Sequence, residues 1–172
     1  NVILVLNIKM KLWRFLTMNE VLQTIWSSLT TENPNMITII SIPFIFIEAY
    51  IYMLIFITIL NININKKQKI IYVLSMGTIS ILSRLFIPAP FNAFFNIIAI
   101  FIFNIFILKI SIFKSIIVLP VPFILTVILE LMISNFYNTI FNADYSSTTN
   151  IPIYRLIFIF VIYALEYIIT IL

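Results

Sequence analysis

The chain has 172 residues, of which 63% are hydrophobic and 9% charged, with no histidine and no cysteine. Too little polar sequence remains to coat a soluble core, and disulfides, thiol nucleophiles, imidazole bases and the commonest soft-metal ligands are all excluded. The formal net charge of +4 rests on ten basic residues, three of them clustered at Lys66, Lys67 and Lys69. No basic stripe extends beyond that cluster, so no nucleic-acid partner is expected.

In chain order, residues 1–17 place Lys9, Lys11 and Arg14 behind a short apolar stretch, the reverse of a secretory signal. They read either as an interfacial amphipathic helix or as sequence upstream of a start at Met18. Beginning at Asn1 and ending in an apolar run, the chain reads as a fragment. The segment from Val21 to Leu29 is too short to cross a bilayer. Five apolar runs follow: Ile37 to Leu60, Ile70 to Ile87, Phe91 to Leu108, Ile116 to Ile133 and Ile151 to Leu172. Each approaches the roughly 20 residues that a spanning helix needs. The runs are apolar on all sides rather than alternating, and helices satisfy their own backbone groups, as hydrocarbon demands. The expected fold is therefore an all-α, polytopic transmembrane helix bundle of about five spans over residues 18–172, in the plasma membrane.

The links between runs carry the topology. Lysines mark 61–69 and 109–114, whereas Pro88-Ala89-Pro90 is uncharged and Ser134 to Asn150 holds Asp144 without a basic residue. Basic links collect on the cytoplasmic side. This places the two lysine links inside, the other two outside, the amino end outside and the carboxyl end inside. The trio at Lys9, Lys11 and Arg14 runs against that rule. The Pro-Ala-Pro link predicts a tight corner between antiparallel neighbours, because each proline removes a donor and restricts the residue before it. Pro120 and Pro122 predict a kink or a displaced start in the fourth span, and Pro43 a bend in the first. Gly77 is the only glycine, so glycine zippers are not expected. Contacts should rest on small polar residues such as Ser75, Thr78, Ser80 and Ser83.

Ionisable groups in hydrocarbon are costly and usually face protein or water. Four stand inside the runs: Glu48, Arg84, Glu130 and Glu166. Arg84 and Glu130 have similar depths and form the favoured ion pair; Glu48 is a deeper alternative, and Arg84 alone reaching the headgroups is another. Two or three isolated carboxylates make no convincing proton relay. Aromatics gather near the edges, at Trp13, Trp26, Phe136, Tyr137, Tyr154, Tyr163 and Tyr167 among others, as interfacial anchors do. The stretch from Pro88 to Asn96 joins a rigid turn to aromatic rings and two amides. Phe91, Asn92, Phe94 and Phe95, with Tyr154 and Arg155 at the outer end of the last span, are the candidate ligand contacts. No catalytic, metal or cofactor residues are expected.

Several of these segments resemble the membrane input region of accessory-gene-regulator-type sensor histidine kinases of Firmicutes. They are Lys66-Lys67-Gln68-Lys69, Ser83-Arg84-Leu85, Pro88-Ala89-Pro90-Phe91, Lys109 to Ser115, Leu129-Glu130-Leu131 and Ile151-Pro152-Ile153-Tyr154-Arg155-Leu156. Met18-Asn19-Glu20 is similar to a start in that family. The resemblance implies a non-catalytic sensor region over residues 18–172, surrounded by lipid, receiving a small extracellular peptide or lipophilic signal in a two-component quorum-sensing system. It also implies a homodimer. The family's phosphoacceptor histidine and glycine-rich nucleotide site are absent from this sequence, so the resemblance covers only the input half. A membrane scaffold subunit and a small transporter component are the alternative readings.

Overall fold

The computed structural model describes residues 20–31, 34–88, 90–141 and 150–172. The expectations for residues 1–17, Met18, Ala89 and Asp144 lie outside them. Every regular element among the described residues is helical. After a helical segment at 20–30 come α1 (Pro34–Leu60), α2 (Lys66–Phe86), α3 (Phe91–Phe106), α4 (Ile112–Val118), α5 (Pro120–Phe141) and α6 (Pro152–Ile171). Four stretches are long and apolar enough to cross a membrane: Ile39–Leu60, Lys66–Phe86, Ile112–Thr139 and Pro152–Ile171. This is the make-up of a multi-pass membrane protein whose outer faces suit lipid.

The third expected span is the exception. α3 has 16 residues, about 24 Å of helix against roughly 30 Å of hydrocarbon. Its apolar run does not continue as helix, because Lys109 takes a left-handed conformation (φ 58°) and turns the chain. Leu108 and Ile110 are then buried in the main core instead of extending the rod. At its other end, α5 runs on to Phe141, so the expected polar link from 134 begins as helix.

α1 is the hub, packed against α6 on one side and α2 on the other; α3 lies outside α2, and α5 packs on α6. α1 and α6 run parallel, with the Phe44 and Tyr163 rings 6.4 Å apart. α2 and α3 form an antiparallel hairpin pinned by a polar ladder. Ser83 Oγ donates to Asn96 Oδ1 at 3.1 Å, Tyr72 Oη to Asn104 Oδ1 at 3.1 Å, and Gln68 Nε2 to the Ile107 carbonyl at 3.1 Å. As one residue number falls the other rises, which is the signature of antiparallel neighbours. The proline link makes the corner as expected: Ile87 is extended and the Asn92 amide bonds back to Pro88 O at 3.3 Å.

The Gln68 bond also brings the two lysine links side by side at one end, here the lysine end. That end is closed by local chemistry. Asn61 is left-handed (φ 49°) and Ile62 N bonds to Ile57 O at 3.2 Å, a Schellman-type stop for α1. Asn65 then starts α2 with a capping box: its Oδ1 accepts from Gln68 N at 2.8 Å, and its own N–H donates to Gln68 Oε1 at 3.1 Å. The core cluster beneath holds Met53, Phe56, Tyr72 and Ile100, all essentially sealed. Pro120 does displace a start, since α4 ends at Val118, Leu119 turns, and α5 begins at the proline. α1, by contrast, is helical through Pro43.

Gly77 corrects an expectation. It is buried in α2 against the Phe46 ring of α1, and a Cβ there would collide with that ring. The single glycine is thus a helix contact in its own right, beside buried Ser80 and Ser83.

Candidate functional site

The opposite end, where α2 and α5 finish and α1 and α6 begin, carries Arg84 and Arg155. It is here the arginine end. Between α1, α2, α5 and α6 a cavity of about 190 Å³ opens there. Each helix contributes at helical spacing. Ser41, Ile45 and Glu48 lie on one stripe of α1, Thr126 and Glu130 on one of α5, and Arg155, Ile159 and Ile162 on one of α6. Residues three or four apart share a face, so a few polar positions inside long apolar runs converge once the helices pack.

Arg84 reaches from the last turn of α2 and its Nη2 donates to Glu48 Oε2 on α1 at 3.3 Å. The Arg84 side chain is 43% exposed and that of Glu48 22%, so the pair straddles the mouth of the cavity rather than its floor. The favoured pairing of Arg84 with Glu130 is therefore replaced by the Glu48 alternative. Depth along the axis puts Glu130 within range, but α2 neighbours α1, and α5 stands across the cavity. Glu130 and Arg155 line that same cavity, both half-buried. Among the described residues, neither side chain has a hydrogen bond or a salt bridge.

Below the cavity sits a second polar layer. Thr126 Oγ1 lies 2.9 Å from Pro122 O and is hydrogen-bonded to Glu166 Oε1, and Tyr52 Oη is 3.4 Å from the same hydroxyl. Glu166 is wholly buried and its Oε2 has no partner among the described residues. Tyr52 stacks edge-on to Phe123, ring centroids 5.4 Å apart, which fixes its hydroxyl toward α5. Glu48 and Glu130 thus line the cavity itself, and Glu166 lies in the layer beneath, bonded to Thr126 one turn from Glu130. Among the described residues, no group of three ligating side chains could hold a metal ion.

The remaining sequence candidates separate. Phe91, Phe94 and Phe95 are exposed on α3, Tyr154 is exposed on α6, and Asn92 is half-buried; none lines the charged cavity. Only Arg155 of the candidate ligand contacts does so. Sequence reasoning passed over Thr126, Ser41, Tyr52 and the buried Tyr72–Asn104 bond. The signal for them was present: a polar side chain inside an apolar run needs a partner, and these recur at helical intervals from named charges. A second, apolar cavity of about 190 Å³ lies between α1 and α6, lined by Ile47, Tyr50, Phe160 and Tyr167 among others. Phe44 and Tyr163 border both cavities. No protein-family model, curated protein or solved structure matches the chain.

Proposed function

We propose that this chain is the signal-receiving membrane bundle of a signalling protein, with the charged cavity as its receiving site. One observation carries the reading. The Arg84–Glu48 pair joins α1 to α2 at the mouth of a cavity also walled by α5 and α6, so a ligand that competes for either charge acts on four helices at once. Such a ligand shifts a two-state packing equilibrium by its difference in affinity for the two states. A tenfold preference is worth about 1.4 kcal/mol, comparable to a half-exposed ion pair. α6 packs along α1 and holds Arg155 at one end and Glu166 near the other, so it is the element that passes a change in the cavity down the bundle.

The positive-inside rule supports the orientation, with the lysine end cytoplasmic and the arginine end outside. The resemblance to accessory-gene-regulator-type sensor kinases points the same way, toward an external peptide or lipophilic signal and a homodimeric assembly. In this reading the exposed rings of Phe91, Phe94 and Phe95 are contacts for lipid or a second subunit rather than the ligand floor.

The test is a chimera carrying a heterologous histidine-kinase core after Leu172. Arg84→Gln and Glu48→Gln should each shift basal autophosphorylation at unchanged membrane abundance, because each releases α1 from α2. Output identical to the parent in both would reject the proposal. A small proton- or cation-coupled transporter is the second reading, favoured by the two cavity carboxylates with buried Glu166 beneath them; its mark is gradient-driven flux in vesicles that Glu130→Gln abolishes.

A further inference from the structure

The cavity contains one closed ion pair and two charges of opposite sign that are not closed. Arg84 and Glu48 satisfy each other. Arg155 and Glu130 stand in the same cavity wall on different helices, half-buried, with no salt bridge among the described residues. A charge drawn partly out of water without a partner is costly, and the cost falls when hydrogen-bonded counter-charges are supplied. The cavity volume of about 190 Å³ equals about six waters at roughly 30 Å³ each, or one molecule the size of an amino acid. Thr126 and Ser41 add hydroxyls to the lining, while Phe44, Ile45 and Ile159 supply its apolar part.

We infer that the cavity binds a small zwitterion, its anionic group on Arg155 and its ammonium on Glu130. A ligand with one charge would satisfy one of these residues and leave the other as it was. A ligand with both completes the cavity and adds a bridge between α5 and α6. The same chemistry has two sources, a free amino acid or short peptide and the headgroup of a zwitterionic phospholipid. The inference deepens the receptor reading by naming the class of ligand for the same cavity.

Binding is measured by titration calorimetry on the full chain in an uncharged maltoside detergent freed of phospholipid. The probes are alanyl-alanine, its N-acetylated form (anion only), its amide (cation only), short-chain phosphatidylethanolamine and short-chain phosphatidylglycerol. A doubly charged probe should bind, and the single-charge forms should be weaker by about tenfold or more, since each loses a charge-assisted hydrogen bond. Arg155→Gln and Glu130→Gln should weaken binding to a similar degree, and Arg155→Lys should keep most of it. Ile159→Trp, which fills the cavity without touching a charge, should abolish binding in protein that still elutes as the parent does.

Binding of the dipeptide alone assigns a free zwitterion, binding of phosphatidylethanolamine alone assigns a headgroup, and binding of both assigns the shared chemistry. The inference is overturned if no probe binds, if single-charge probes bind as tightly, or if Ile159→Trp binds like the parent. The basal output of the Arg84→Gln chimera involves none of these probes, so the receptor reading fails or survives separately.

Discussion

At the lysine end, the stop of α1 and the start of α2 are each fixed by specific local bonds, and the side chains beneath are sealed. Asn61, Asn65 and Gln68 satisfy backbone groups that helix ends would leave open, and Gln68 also ties α2 to the end of α3. At the arginine end, the same four long helices are held apart by a cavity. α1 and α2 are linked across its mouth by a half-exposed ion pair, and two further charges stand open. The contrast teaches where adaptability resides. Dense packing and capped termini fix one end, and a partly filled polar space leaves the other free to be reset by whatever enters it.

The contrast can be broken outright by labelling. The chain has no cysteine, so Lys67→Cys and Lys114→Cys report singly. Both positions are exposed at the lysine end, and an impermeant maleimide should modify both from the same face of oriented vesicles. Modification from opposite faces would mean that the two lysine links do not share an end.

Next in size is Gly77→Leu, which drives a side chain into the Phe46 ring where the two ends meet. It should cost about 3 kcal/mol, at the upper side of ordinary overpacking, and Phe46→Ala should recover much of that in thermal unfolding. Additive losses in the double variant would argue against the contact.

Tyr72→Phe removes the donor to Asn104, which is fully buried. The stranded carbonyl should cost about 2 kcal/mol. Arg84→Gln, at the other end, should cost about 1 kcal/mol or less, because its side chain is 43% exposed and screened. Its effect should appear instead in the basal output of the kinase chimera. If Arg84→Gln destabilises the bundle more than Tyr72→Phe does, the division between a fixed end and an adaptable one is wrong.

Much of the architecture was legible from the sequence because hydrocarbon leaves few choices. Four of the five runs became long apolar helices, the Pro88–Pro90 corner turned as its φ restrictions require, and Pro120 opened a helix. The shared end of the two lysine links was legible from their charge, and the Gln68 bond to Ile107 brings them together. What escaped was rotation and termination. Counting residues along an axis places Arg84 near the level of Glu130, but it cannot say that α2 lies against α1, where Glu48 is. Nor does an apolar run reveal that Lys109 will turn left-handed and return Leu108 and Ile110 to the core, which shortened α3. A lone glycine excludes a zipper, but that Gly77 is itself a contact depended on a ring 31 positions earlier in the chain.

Phe44 and Tyr163 form a thin partition, with the charged space on one side and the greasy recess on the other. Two aromatic rings cannot yield toward one chamber without enlarging its neighbour. A shift of either ring therefore reshapes both spaces together.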